Sequence, residues 1–221
     1  VSPNNMSVGQ TLNIPSSPQT LTEGTPTPVP FAVQQIICHP TLDKGLWCFV
    51  LVHNEYSDFM EDITAQVTLV DSNGRAIASK MALLPLDILP PNQSMPLSVF
   101  FEPAEYPANV TARVQMLTAV RLLPDDVRYL HAAIHNTLVQ VDWTGKTAQV
   151  SGQVVLSAES KAAARVWVAA VAYDESNRVV GVRRWESGSS LAGGGSLPFS
   201  FNISSLAGQI TRVEFAVEAR P

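Results

Sequence analysis

The chain has 221 residues, of which 46% are hydrophobic and only 15% charged, a profile of a folded β-rich protein that excludes a disordered or coiled-coil chain. Its formal charge is -5 and no local cluster of Lys and Arg offsets it, so the electrostatic footprint of a nucleic-acid binder is missing. No apolar run approaches the roughly 18 residues that a membrane span requires.

Residues 1–30 are dense in Ser, Thr, Pro, Asn and Gln and poor in large apolar side chains. Such a stretch buries too little surface to offset chain entropy, so we expect an extended tether. The chain opens on Val1 rather than Met, which leads us to expect a leader, a lipid-anchored cysteine or a membrane helix ahead of it.

A first folded unit is expected over 31–123. The run from Phe31 to Cys38 reads as a strand, His39 to Gly45 as a turn, and Leu46 to Asn54 as a returning strand. Cys38 and Cys48 stand symmetrically about Asp43. A hairpin centred there sets the two cysteines opposite each other on adjacent antiparallel strands, where the spacing suits a disulfide. That pairing implies an oxidising compartment; the alternative is two reduced, buried thiols in a cytosolic protein. Farther on, Ile63, Ala65, Val67 and Leu69 alternate with Thr64, Gln66 and Thr68, the period-two pattern of a strand with one core face and one wet face. Asp71-Ser72-Asn73-Gly74 forms a turn, Arg75 to Met81 returns as a strand, and the Pro-rich stretch 83–93 carries the chain across the sheet edge. Strands near 96–101 and 110–122 complete the unit.

A second unit, 124–221, repeats the plan. Val166 to Val182 copies Ile63 to Ile77 about a hundred residues later, with Pro198 answering Pro96 and Ile210 to Val217 answering Val110 to Leu117. The fold class expected is all-β: two tandem antiparallel β-sandwich domains of immunoglobulin or fibronectin type III character. Leu122 to Asp126 is the boundary, short enough to hold the units in a restricted orientation. Ala170-Val171-Ala172-Tyr173-Asp174, followed by a turn and Val179-Val180-Gly181, resembles the naming motif of the FxLYD domain, a β-sandwich module of prokaryotic extracytoplasmic proteins. Val67 to Asp71 stands at the same place in the first unit. The naming Phe is absent from both copies and the Tyr from the first. The resemblance implies a β-sandwich fold and a cell-envelope setting, and brings no catalytic residues.

Metal readings fail on geometry. Cys48, His53 and Met60 have the residue types of a blue-copper site, but strand alternation sets 48 and 53 on opposite faces. His131 and His135 are spaced like a zinc pair, yet the intervening Glu is missing and the segment reads as strand. Asp71 and Asp174 each open a turn, which accounts for both without catalysis. We therefore expect no cofactor and no metal, and no enzymatic activity.

The informative departure lies between the repeats. Where the first unit carries Thr64, Gln66, Thr68 and Val70, the second carries Trp167, Ala169, Val171 and Tyr173. An apolar, aromatic strip of this kind needs a cover: the first unit, a second copy, another region of the parent protein, or a glycan stacking on the rings. Trp167 and Tyr173 are accordingly the candidate binding residues, with Trp143, Trp185 and Arg183 or Arg184 as neighbours whose facing the sequence does not fix. The expectation is a non-catalytic spacer or protein-interaction module of a secreted or cell-surface protein, with an unknown protein or glycan as partner. The rival reading is a carbohydrate-binding accessory module.

Overall fold

The computed structural model describes residues 30–107, 109–123 and 126–221. The tether expected over 1–30 therefore lies, except for Pro30, outside the described residues, as do Pro124 and Asp125 of the expected boundary. Thirteen strands and no helix make up the described chain: β1 (Val33–Pro40), β2 (Leu46–His53), β3 (Met60–Val70), β4 (Ala76–Leu83), β5 (Ile88–Leu89), β6 (Ser94–Phe101), β7 (Thr111–Arg121), β8 (Ala132–Val141), β9 (Thr147–Leu156), β10 (Arg165–Tyr173), β11 (Val179–Glu186), β12 (Ser196–Ser204) and β13 (Arg212–Arg220). All named pairings are antiparallel.

In β1–β7, the order β1-β2-β6 forms one layer and β4-β3-β7 the other. A single pairing, Leu83 with Ser98, joins β4 to β6 and makes the corner. The layers close on a core in which Cys48, Val50 and Val52 of β2 and Leu97 and Val99 of β6 face Ile63, Ala65, Val67 and Leu69 of β3. The alternation expected of β3 is thus the one observed, with Thr64, Gln66 and Thr68 on its outer side. Those outer groups are satisfied locally: Thr64 Oγ1 bonds Thr118 Oγ1 at 2.6 Å, and Gln66 donates to Ser79 at 2.7 Å. In β8–β13, the layers are β8-β9-β12 and β11-β10-β13, with Val154, Val166, Val168 and Phe199 at one end of the core and Val150, Ala170, Ala172 and Ile203 at the other.

The cysteines meet as the hairpin requires. Cys38 pairs with Cys48 across β1 and β2, the Cα atoms are 4.0 Å apart, and the disulfide is formed. The Pro-rich crossing departs from a plain connection: between Pro85 and Pro90, Ile88 and Leu89 retain their N–H groups and pair with Glu61 and Met60 as β5. β3 starts at Met60, ahead of the alternating run, and breaks register beyond Glu61, where Asp62 has φ 51°.

The layers β1-β2-β6 and β11-β10-β13 lie face to face, giving four layers in all. Pro30 accepts a hydrogen bond from Tyr56 (2.6 Å), just after β2, and Asn54 of the same loop donates to Leu89 O (3.0 Å). Arg220 reaches Asp87, next to β5.

Candidate functional site

The Trp167–Tyr173 strip is built by strand alternation. Val166, Val168, Ala170 and Ala172 fill the core between the β8–β13 layers, which turns Trp167, Ala169, Val171 and Tyr173 outward. What they meet is the outward face of β2. Phe49 and Leu51 pack on Val171, Tyr173 and Val179, with Trp47, Ile37 and Val182 around them, while Ala169 joins the core of the first seven strands. Val171 is 3% exposed and Tyr173 2%, and Trp167 is half-buried. Of the four covers the sequence left open, the strip has the first: the chain's own β1-β2-β6 layer.

This corrects the binding assignment at Tyr173. Its ring lies against Phe49 and Leu51, with the Arg212 guanidinium 4.2 Å from the ring centroid, so no face remains for a sugar. Burial holds the phenol above its ordinary pKa, with the Glu214 carboxylate adding to the effect. Trp167 packs at the margin of the first core and is approached by Arg220, 5.5 Å from its centroid. Of the neighbours, Trp185 packs on Phe199 inside the second core (6.0 Å between centroids), Arg184 donates to Pro85 O at 3.3 Å, and Trp143 is 96% exposed at the β8–β9 turn, away from the strip.

Polar groups ring the apolar contact. His39 Nε2 donates to Val179 O (2.7 Å), and the Gln35 amide accepts from Val179 N–H (3.0 Å) while donating to Asn177 O (3.2 Å). At the opposite border, Glu218 is 2% exposed. It accepts from the Asp87 N–H at 2.7 Å and from Arg220 Nε at 2.6 Å. Arg220 also bonds the Asp87 carboxylate and Tyr129, whose hydroxyl donates to Glu61 (3.2 Å). Arg128 then pairs with Glu61 (2.8 Å) and Asp126. Burial pushes the Glu218 carboxyl above its ordinary range, although the bonds from Asp87 and Arg220 pull the other way. Asp126 is held below its range, first by the hydrogen bond from Arg128.

None of this cluster was among the residues singled out by sequence. Asp87 and Glu218 lie 131 positions apart and Glu61 and Arg128 67 apart, in no common motif, so no local signal announces them. The histidines likewise stand apart: His39 is buried in the contact above, His53 bonds Ser94 at 2.9 Å, and His135 sits in β8. No group of three or more His, Cys, Asp or Glu able to hold a metal occurs among the described residues.

Beside the ion cluster, a groove of about 650 Å³ opens between the 57–59 and 88–93 segments with Leu122, Leu123 and Asp126 on one side and β8 and β13 on the other. A second hollow of about 490 Å³ extends it past Met95 and Val171, sharing Gln93, Ile134, Phe215 and Ala216 with the first. The carboxylates that line the two are Asp58, Asp126 and Glu214.

The protein is thus of the all-β class, with antiparallel sheets arranged as in a β-sandwich. No protein-family model matches the chain, and no curated protein sequence matches it. Among solved structures it is similar to a glycosyl hydrolase family 2 member from Bacteroides cellulosilyticus DSM 14838, at 13% identity and a TM-score of 0.27. That similarity covers 78% of this chain and only 26% of the other, so the chain spans about a quarter of the length of the protein it resembles. At that TM-score it carries no argument about function.

Proposed function

We propose that the chain is a non-catalytic module of an extracytoplasmic protein, secreted or held at the cell surface. In this reading it is two tandem immunoglobulin- or fibronectin-III-like sandwiches of the FxLYD kind (31–123 and 124–221) and serves as a protein-interaction or spacer element. The observation that carries the reading is the cover on β10. An aromatic strip that would otherwise need a ligand is packed on Phe49 and Leu51 of the same chain, which makes one block of the four layers. Matching strand order supports the tandem arrangement, since β8-β9-β12 and β11-β10-β13 repeat β1-β2-β6 and β4-β3-β7. The Cys38–Cys48 disulfide supports an oxidising compartment. The buried carboxylates have structural duties, Asp174 in its turn and Glu61 and Glu218 between the layers. A glycan platform at Trp167 and Tyr173 has less support, because Tyr173 is buried.

Fractionation of the cells that make the protein tests this, with surface proteolysis and with alkylation before and after reduction. The expected result is release from the surface or the medium, with Cys38 and Cys48 alkylated only after reduction. A cytosolic pool with both thiols free would sink the reading.

A further inference from the structure

We propose that the groove between β8, β13 and the 57–59 and 88–95 segments docks an extended peptide of a partner protein, which adds a strand to the outer edge of β13 and directs a lysine or arginine to the carboxylates lining the groove. The proposal deepens the interaction-module reading and rests on it.

The edge is the first argument. β13 and β8 are the edge strands of their layers, and residues 213–217 of β13 line the groove. Hydrogen-bond parity follows from the bond of Ser187 N–H to Val166 O, which commits Val166, Val168 and Ala170 to β11 and Trp167, Ala169 and Val171 to β13. Their partners Glu218, Ala216 and Glu214 therefore spend their backbone groups on β10, and those of Phe215, Val217 and Ala219 point outward. Ala219 O is taken by Leu130 N–H at 2.9 Å. Beyond that bond β8 leaves β13 for β9, and no other backbone bond reaches the outer edge among the described residues. Phe215 and Val217 thus present a donor and an acceptor each to the groove, the arrangement that an added strand completes.

The second argument is continuity with an existing interface. Val171, which lines the groove's extension, belongs to the surface by which the two halves already pack, and Met95 beside it to the core of the first seven strands, so an entering apolar side chain prolongs an apolar seam. Phe59, Ile88, Leu122 and Ile134 offer it further contacts. The third is charge. Asp58, Asp126 and Glu214 line the groove together with His131; each carboxylate already pairs with an arginine that does not line it (Arg121, Arg128 and Arg212), so an entering lysine or arginine competes for these carboxylates from the groove side. The five residues of exposed edge extend about 17 Å, so the occupant is short.

The test is fluorescence anisotropy on the intact chain with three labelled octapeptides: alternating valine and threonine with lysine at both ends, the same peptide with glutamate at both ends, and the lysine peptide with every backbone nitrogen methylated, so that neither of its edges can donate. We expect saturable binding of the first, at least tenfold weaker binding of the second, and none of the third. Val217→Pro, which removes one outward N–H without touching the ladder to β10, should weaken the lysine peptide at least tenfold; because Val217 also packs on the second core, binding is compared at a temperature where circular dichroism shows the variant folded. Equal binding of the methylated peptide would overturn strand addition on wild-type protein alone, whatever the variant does. No binding by any peptide, with the disulfide formed and the protein extracytoplasmic, would overturn the site and leave the module reading standing. A concentration-dependent dimer that the lysine peptide does not dissociate would overturn it in favour of a second copy at this edge.

Discussion

Asp174 keeps its charge while only 3% exposed, because its own turn surrounds it with donors. Oδ1 accepts from the N–H groups of Ser176 and Arg178, each at 2.9 Å, and Oδ2 from Arg178 Nε at 2.8 Å. Burial opposes ionisation, but these bonds outweigh it and hold the carboxyl below its ordinary pKa. Its contribution is therefore present above the ordinary carboxylate range and lost as pH falls through the lowered value. Asp174→Ala should cost about 2 kcal/mol in denaturant unfolding at neutral pH, most of it recovered by Asp174→Asn, which can still accept from the two N–H groups. Glu218 has the opposite sign. Its raised pKa means that its contribution is full below the ordinary range and fades as pH rises through the elevated value. In melting curves between pH 4 and 8, wild type should lose ground to Glu218→Gln as pH increases, and parallel curves would contradict this assignment. The two acids also differ in legibility. Asp174 is readable from sequence because its partners lie within four residues, and Asn177 at φ 56° supplies the left-handed corner. Glu218 is not, because everything that bonds its second oxygen lies in a segment 131 residues away.

At the level of elements, β1 with β2 was read most completely. Symmetry of Cys38 and Cys48 about Asp43 predicted the register, and the strands pair on it. Replacing both cysteines with alanine should cost about 2 to 3 kcal/mol, measured under oxidising conditions against reduced wild type as a control. β10 was read in its alternation but not in its surroundings. Periodicity tells which side chains share a face, whereas the identity of the cover depends on where β2 arrives in space. β5 escaped because Pro at 85 and 90 marks a crossing, and a strand of two residues is too short to show a period. Gly181 marks another tertiary demand. A Cβ there would lie 2.3 Å from Ser204 O, at the meeting of β11 with the end of β12. Gly181→Ala should destabilise by about 2 to 3 kcal/mol through overpacking against backbone, read from the urea midpoint.

For the whole molecule, the decisive contact is the one between β2 and β10. Val171→Asp would bury an unpaired charge between Phe49 and Leu51, at a cost of about 3 to 5 kcal/mol if the layers stayed together. Separation relieves that cost, so the variant should show a larger hydrodynamic radius by light scattering with its disulfide intact. An unchanged radius would argue that the halves are held chiefly by the polar border of His39, Glu61 and Glu218. The Asp87–Glu218–Arg220 cluster carries a mechanical consequence. Arg220 closes β13 and is bonded to both Asp87 and Glu218, so a pull applied at Arg220 is borne first by this cluster and by the ladder to β10, and the bonds that report on pH are also the first to feel force.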